Sequence, residues 1–165
     1  MGDRYDSLQP ASLIASMKSM PRRWKDGLRV QPPLNIDDFF SVDGGSGSAA
    51  EHLGAAIVQL TTISEAIRTT SYNVPEALST EVVTAVSNTG SGPWPSSAKA
   101  GLQEITSIVE KLTEQMEQLN PRDWNKSADA GSTMLTVLAL AQGASRVAAD
   151  RLAIVDRTIA ALADQ

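Results

Sequence analysis

The C-terminal part of the chain carries an apolar stripe with the spacing of one helix face. Its members follow one another at alternating steps of four and three residues: Met134, Leu138, Ala141, Ser145, Ala148, Leu152, Val155, Ile159 and Leu162. Residues at these intervals lie on one side of an α-helix. A helix this long cannot bury its stripe alone, so the chain is predicted to pack it against partner helices.

Three earlier segments repeat this pattern and predict the partners. Their stripes are Leu13, Met17, Met20, Trp24 and Leu28 in the first; Leu53, Ala56, Ile57, Leu60, Ile63 and Ile67 in the second; and Ala98, Leu102, Ile105, Val109, Leu112, Met116 and Leu119 in the third. Ser48 and Glu51 have the spacing of a capping box at the start of the second helix. Pro21 predicts a kink in the first helix near residues 17–20, or two short helices end to end.

The connections differ in length. Residues 30–47 predict a loop with one helical turn in its middle, and residues 71–97 allow either a short helix beginning at Pro75 or a short strand, of which the helix is favoured. A short link through Trp124 leads to Ser132 as N-cap of the fourth helix. We therefore predict an all-α antiparallel four-helix bundle with long 1–2 and 2–3 connections and with the third and fourth helices as neighbours. Residues 1–9 are expected to be loose, and residues 10–165 to form a single domain.

Composition narrows the function classes. The net charge of −5 argues against a general nucleic-acid binder. The chain has no cysteine, which excludes disulfides, thiolate zinc sites and cysteine nucleophiles. No apolar run is long enough to span a membrane, and no signal peptide is visible. We expect a cytoplasmic protein that does not bind membranes.

Basic residues are concentrated in the first helix. Lys18, Arg22, Arg23, Lys25 and Arg29 lie within a short stretch of it. One interpretation is a solvated helix face. The other is an anion-binding edge, with Arg22 and Arg23 holding the carboxylate of a small thiol or acid.

The second and fourth helices contain the remaining candidates for chemistry. His52 is the only histidine and lies beside the apolar stripe. It is either a partly buried histidine with one hydrogen-bond partner or a general base. Arg146 and Asp150 are four residues apart and Arg151 adjoins the stripe, which predicts either a salt bridge at the edge of the bundle or a polar pocket facing His52.

Four segments resemble the DinB/YfiT-like superfamily, in particular the actinobacterial type related to mycothiol-dependent maleylpyruvate isomerases. They are SMKSMPRRW at 16–24, SAAEHL at 48–53, LNPRDW at 119–124 and ADRLAIVDR at 149–157. The resemblance implies a four-helix bundle, often dimeric, with a divalent metal held by one histidine on helix two and two ligands on helix four. Some such proteins are thiol-dependent transferases or isomerases.

Only part of that metal site carries over to this chain. His52 matches the helix-two ligand, but among the helix-four positions only Asp150 could bind a metal. Because a catalytic zinc site ordinarily has three protein ligands, we expect no cofactor, and zinc or nickel only if His52 and Asp150 still bind it. Our hypothesis is that Asp150 or a neighbouring polar group instead forms a hydrogen bond to His52.

These observations leave two functional hypotheses. The first is a metal-free DinB-like protein that binds a small anionic or thiol ligand or serves as a homodimeric scaffold. The alternative is a mycothiol-dependent transferase or isomerase with His52 as base or residual metal ligand. In that case Arg146, Arg151 or the Arg22 and Arg23 pair would hold the anionic co-substrate.

Overall fold

The computed structural model describes residues 8–72, 77–131 and 133–165 of the chain. The described part is mostly helical, which confirms the all-α class. In chain order the elements are α1 (Pro10–Gly27), α2 (Asp37–Phe40), α3 (Ala49–Ser71), α4 (Thr80–Val86), α5 (Ala98–Gln118), a 3₁₀ helix (Pro121–Asn125), β1 (Ser127–Asp129), β2 (Met134–Thr136) and α6 (Val137–Ala163). No helix in these ranges is long and apolar enough to cross a bilayer.

The four long helices α1, α3, α5 and α6 surround one hydrophobic core. The predicted stripes provide it: Leu13, Met17, Met20, Trp24, Leu53, Leu60, Ile63, Ile105, Val109, Leu112, Ala141, Ala148 and Val155 are each less than 2% exposed. The exposed glutamates Glu104, Glu110, Glu114 and Glu117 lie on the opposite face of α5. The helical periodicity in the sequence therefore identifies the inward faces correctly.

Helices α3 and α5 run in the same direction. Near their N-terminal ends, a Cβ atom on Gly101 would lie 2.5 Å from the Leu53 side chain. Near their C-terminal ends, the Ser64 hydroxyl donates to Gln115 at 2.6 Å. Because both pairs of ends meet in register, this pair of neighbours is parallel.

Helices α1 and α6 are also parallel to each other. Gln142, early in α6, donates to the carbonyl of Leu8 just before α1. At the other end, Gly27 at the C-terminus of α1 packs closely against Leu152 in the second half of α6, since a Cβ atom on Gly27 would lie 2.7 Å from the Leu152 side chain. The bundle therefore contains two parallel pairs, and the prediction that all neighbouring helices are antiparallel is wrong.

The predicted adjacency of the third and fourth long helices is wrong as well. Helix α3 packs against both α5 and α6, and so does α1, whereas the described residues of α5 and α6 lie diagonally across the core. The link between them explains this position. Lys126 in the link donates to the carbonyl of Ser71 at the end of α3, and Leu78 donates to Asp129. The link passes the end of α3 and places α6 on its other side.

Helix α6 begins later than predicted. Met134 and Thr136 belong to β2, which pairs antiparallel with β1, and the Met134 side chain is 57% exposed. The hydroxyl of Thr136 accepts from the backbone N–H of Ala139 and caps α6 instead. Ser132, the predicted cap, lies outside the described residues. A stripe fixes the buried face of a helix, but the capping residue fixes its start.

The remaining predictions concern the connections, the first helix and the cap of the second. Helix α2 supplies the helical turn expected within residues 30–47. Helix α4 confirms that residues 71–97 contain a short helix, but it begins at Thr80, later than the predicted start. Pro75 and residues 1–7 lie outside the described residues. Helix α1 runs unbroken through Pro21, so the alternative of two short helices is wrong. Ser48 caps α3 by accepting from the backbone N–H of Glu51, which confirms the Ser48 half of the predicted capping box.

Candidate functional site

His52 lies in the first turn of α3 and is half-buried. Its Nε2 atom is 2.5 Å from the carbonyl oxygen of Ser46, and its Nδ1 atom is 2.8 Å from a terminal nitrogen of Arg151. The loop before α3 reaches the imidazole because Gly47 has a φ of +95°. A Cβ atom at Gly47 would lie 2.9 Å from Nε2, so this contact and the positive φ both favour glycine there.

These two contacts fix the tautomer of the imidazole. A guanidinium group has N–H donors and no acceptor, so Nδ1 of His52 must accept from Arg151. The carbonyl of Ser46 only accepts, so Nε2 carries the proton and donates to it. Both ring nitrogens of the neutral imidazole are thereby engaged, and a cation could reach Nδ1 only by displacing Arg151.

Arg151 extends from α6 into a group of neutral acceptors. Its Nε atom donates to Asn88 Oδ1 at 3.0 Å and to Gln59 Oε1 at 3.3 Å. A terminal nitrogen lies 3.5 Å from the carbonyl oxygen of Asn88 and 3.4 Å from that of Gly90. Asn88 presents both of its oxygens because its backbone is left-handed, with φ of +57°. Gln59 is held in turn by donating to Thr89 at 2.8 Å. We call His52, Gln59, Asn88, Gly90 and Arg151 the arginine cluster.

The charge in this cluster is buried without a directly bonded carboxylate. Arg151 is only 8% exposed, and the salt bridges among the described residues involve other side chains. Burial lowers the pKa of Arg151, and the negative charge of Glu51 raises it. Buried charges require hydrogen-bonding partners, and here neutral oxygen and nitrogen atoms provide them.

The expected residual metal ligands, His52 and Asp150, differ in their surroundings. Asp150 is exposed on α6, while its sequence neighbour Arg151 contacts His52. Within the described ranges, no three histidine, cysteine, aspartate or glutamate side chains come close enough to hold a metal ion. The hypothesis is that Asp150 or a neighbouring polar group forms a hydrogen bond to His52. The structure shows this bond with the neighbour, Arg151.

The other predicted anion-binding residues lie elsewhere. Arg146 is half-buried and donates to the carbonyl of Val86 at 2.7 Å, at the last residue of α4. A cation is favourable at a helix C-terminus because it complements the helix dipole. Arg22 and Arg23 are exposed on α1, and Arg23 shares a groove between α1 and α6 with Asp26 and Asp156. Of these arginines, Arg151 lies in hydrogen-bonding contact with His52.

A second groove adjoins the arginine cluster. It lies between α3 and α4, has a volume of about 400 Å³ and is lined by Val58, Gln59, Thr62, Thr80, Glu81, Thr84, Ala85, Thr89, Gly90 and Ser91. Gln59 and Gly90 belong to both the groove and the cluster. The sequence did not predict this groove. It also did not predict Gln59 and Asn88 as partners of Arg151, because nothing in their spacing marks them as neighbours of α6.

Comparisons with protein-family models, with curated proteins and with solved structures found no match to this chain. The DinB-like resemblance therefore stays a prediction.

Proposed function

We propose that this chain is a metal-free, DinB-like four-helix-bundle protein that binds a small ligand without catalysing a reaction on it. In this proposal the Arg151 guanidinium takes the part of the divalent cation that the resemblance implies. The packing of α1, α3, α5 and α6 around one core supports the bundle. The groove between α3 and α4, next to the arginine cluster, supports ligand binding.

The contact between Arg151 and Nδ1 of His52 carries the proposal. A metal ligand must present a free nitrogen lone pair, and the only histidine of the chain gives its lone pair to the guanidinium. The donor set around it therefore does not fit a catalytic metal ion. A general base must likewise present a free lone pair to its substrate, so the same contact disfavours His52 as a catalytic base.

Metal analysis of protein purified without a histidine tag tests the absence of a metal site. We expect no stoichiometric zinc or nickel in the wild-type protein. Stoichiometric metal that disappears in His52→Ala would overturn the proposal. Light scattering in the same buffer determines whether the predicted homodimer forms.

A thermal-shift screen separates the binding protein from the enzyme. A ligand that binds only the folded chain raises its melting temperature. Stabilisation by a low-molecular-weight thiol that is lost in His52→Ala would favour the thiol-dependent transferase or isomerase. Stabilisation by a non-thiol ligand that His52→Ala leaves unchanged supports the binding protein.

A further inference from the structure

The groove between α3 and α4 differs in charge from the anion site expected from the sequence. Glu81 is the only charged residue among those that line it. Val58, which is 38% exposed, adds apolar surface, and the buried Ala85 also lines the groove. The other side chains that line it are the amide of Gln59 and hydroxyl groups, which have no formal charge. A small anion would therefore meet a carboxylate here.

The polar groups of the groove include a carboxylate and two hydroxyls that act as acceptors. Glu81 lies in the first turn of α4, exposed, with no ion pair to the described residues. Thr84 donates its hydroxyl proton to the carbonyl of Thr80, and Thr89 donates its own to the carbonyl of Thr84. Their oxygen lone pairs remain available for a donor.

The buried charge of Arg151 lies behind this groove. Arg151 donates to Gln59 and Gly90, which also line the groove, and to Asn88, so these acceptors are already bound to the guanidinium. An alternative role for Glu81 is to stabilise α4 by its charge near the helix N-terminus. That role concerns α4 alone, whereas Glu81 also lines the groove together with Thr84 and Thr89.

We propose that this groove binds a small organic cation, a primary or secondary ammonium group attached to a short apolar chain. The ammonium N–H groups would donate to Glu81 and to threonine oxygens, and the chain would contact Val58 and Ala85. The net charge of −5 favours the approach of a cation. This inference rests on the small-ligand function proposed above and gives it a ligand class.

Three probes that share one carbon chain test the assignment: n-butylammonium, butyramide and butyrate. Each is titrated into the protein at low ionic strength and followed by two-dimensional amide NMR. We expect saturable shifts with n-butylammonium at residues 58–62 and 80–91, and weaker or absent shifts with the other two probes. Because Glu81 is exposed, Glu81→Gln should weaken binding by about fivefold.

Glu104→Gln is the matched control, since it removes the same charge from the exposed face of α5. It should leave the affinity for n-butylammonium unchanged. The assignment is overturned if butyramide or butyrate binds as well as the ammonium probe, if Glu104→Gln weakens binding as much as Glu81→Gln, or if no probe saturates. Saturable shifts at another surface would rule out this groove as the binding site, while the proposed small-ligand function would still hold.

Discussion

Removal of the Arg151 side chain is the sharpest perturbation of the arginine cluster. Arg151→Ala takes away the donor that serves His52 Nδ1, Asn88 Oδ1 and Gln59 Oε1 at 2.8, 3.0 and 3.3 Å. The backbone carbonyls of Asn88 and Gly90 lose their longer contacts to it as well. The substitution therefore leaves a small polar cavity with acceptor atoms and no donor.

Two opposing effects determine the cost. Each buried acceptor that loses its donor costs about 1–3 kcal/mol. Removal of the buried charge relieves a desolvation penalty, and water that enters the cavity donates hydrogen bonds to some of the freed acceptor atoms. We expect a net loss of about 3 kcal/mol in the free energy of unfolding. For a chain of this size that corresponds to a fall in melting temperature of roughly 6–12 °C.

Urea unfolding and calorimetry measure this loss, with Arg157→Ala as control. Arg157 is exposed on the same helix, so its removal should change stability by less than about 0.5 kcal/mol. Methylguanidinium should then rescue Arg151→Ala and not the wild type. At about five times its dissociation constant it should restore about 1 kcal/mol, and sodium chloride of equal concentration should restore nothing. Equal stability of the two variants, or equal rescue by sodium chloride, would refute the interpretation that Arg151 is a buried cation bound by neutral acceptor atoms.

Three further predictions follow from local geometry. Asn88→Ala should be less stable than Asn88→Gly by about 1 kcal/mol in urea unfolding, because only alanine adds left-handed strain; equal stability would contradict this. Gly54→Ala should lower the melting temperature by the equivalent of roughly 1–3 kcal/mol, since the new Cβ would lie 2.4 Å from the carbonyl oxygen of Pro93. An unchanged melting temperature would mean that this loop yields without cost. The hydrogen bond from Lys126 lowers the pKa of Asp123, so the stability difference between wild type and Asp123→Asn should be present at neutral pH. It should disappear as the pH falls through that lowered pKa, and a difference that persists in acid would argue against the pairing.

The helices could be predicted from the sequence because their signals are local. The stripe on α5 depends only on periodicity, and the cap of α3 depends only on Ser48 and its neighbours. The start of α6 could not be predicted in the same way. Periodicity continues through Met134, whereas its strand pairing with Asp129 depends on a turn that the stripe does not encode.

The topology and the arginine cluster depend on contacts between distant residues. Residues 119–136 contain a 3₁₀ helix and two strands, which makes the link long enough to pass the end of α3. A link interpreted as short predicts neighbours, and this one joins diagonal helices. Gln59 and Asn88 are ordinary polar residues in the sequence, and only tertiary packing brings them to Arg151.

The register of α6 decides which charge meets His52. Successive residues of an α-helix point about 100° apart, so Asp150 and Arg151 cannot present their side chains to α3 in the same way. Here the guanidinium meets the imidazole, while Asp150 is exposed. A carboxylate facing that nitrogen would add a metal ligand to the imidazole, whereas a guanidinium brings its own positive charge and uses the lone pair. In this chain α6 therefore supplies His52 Nδ1 with a hydrogen-bond donor, the guanidinium of Arg151.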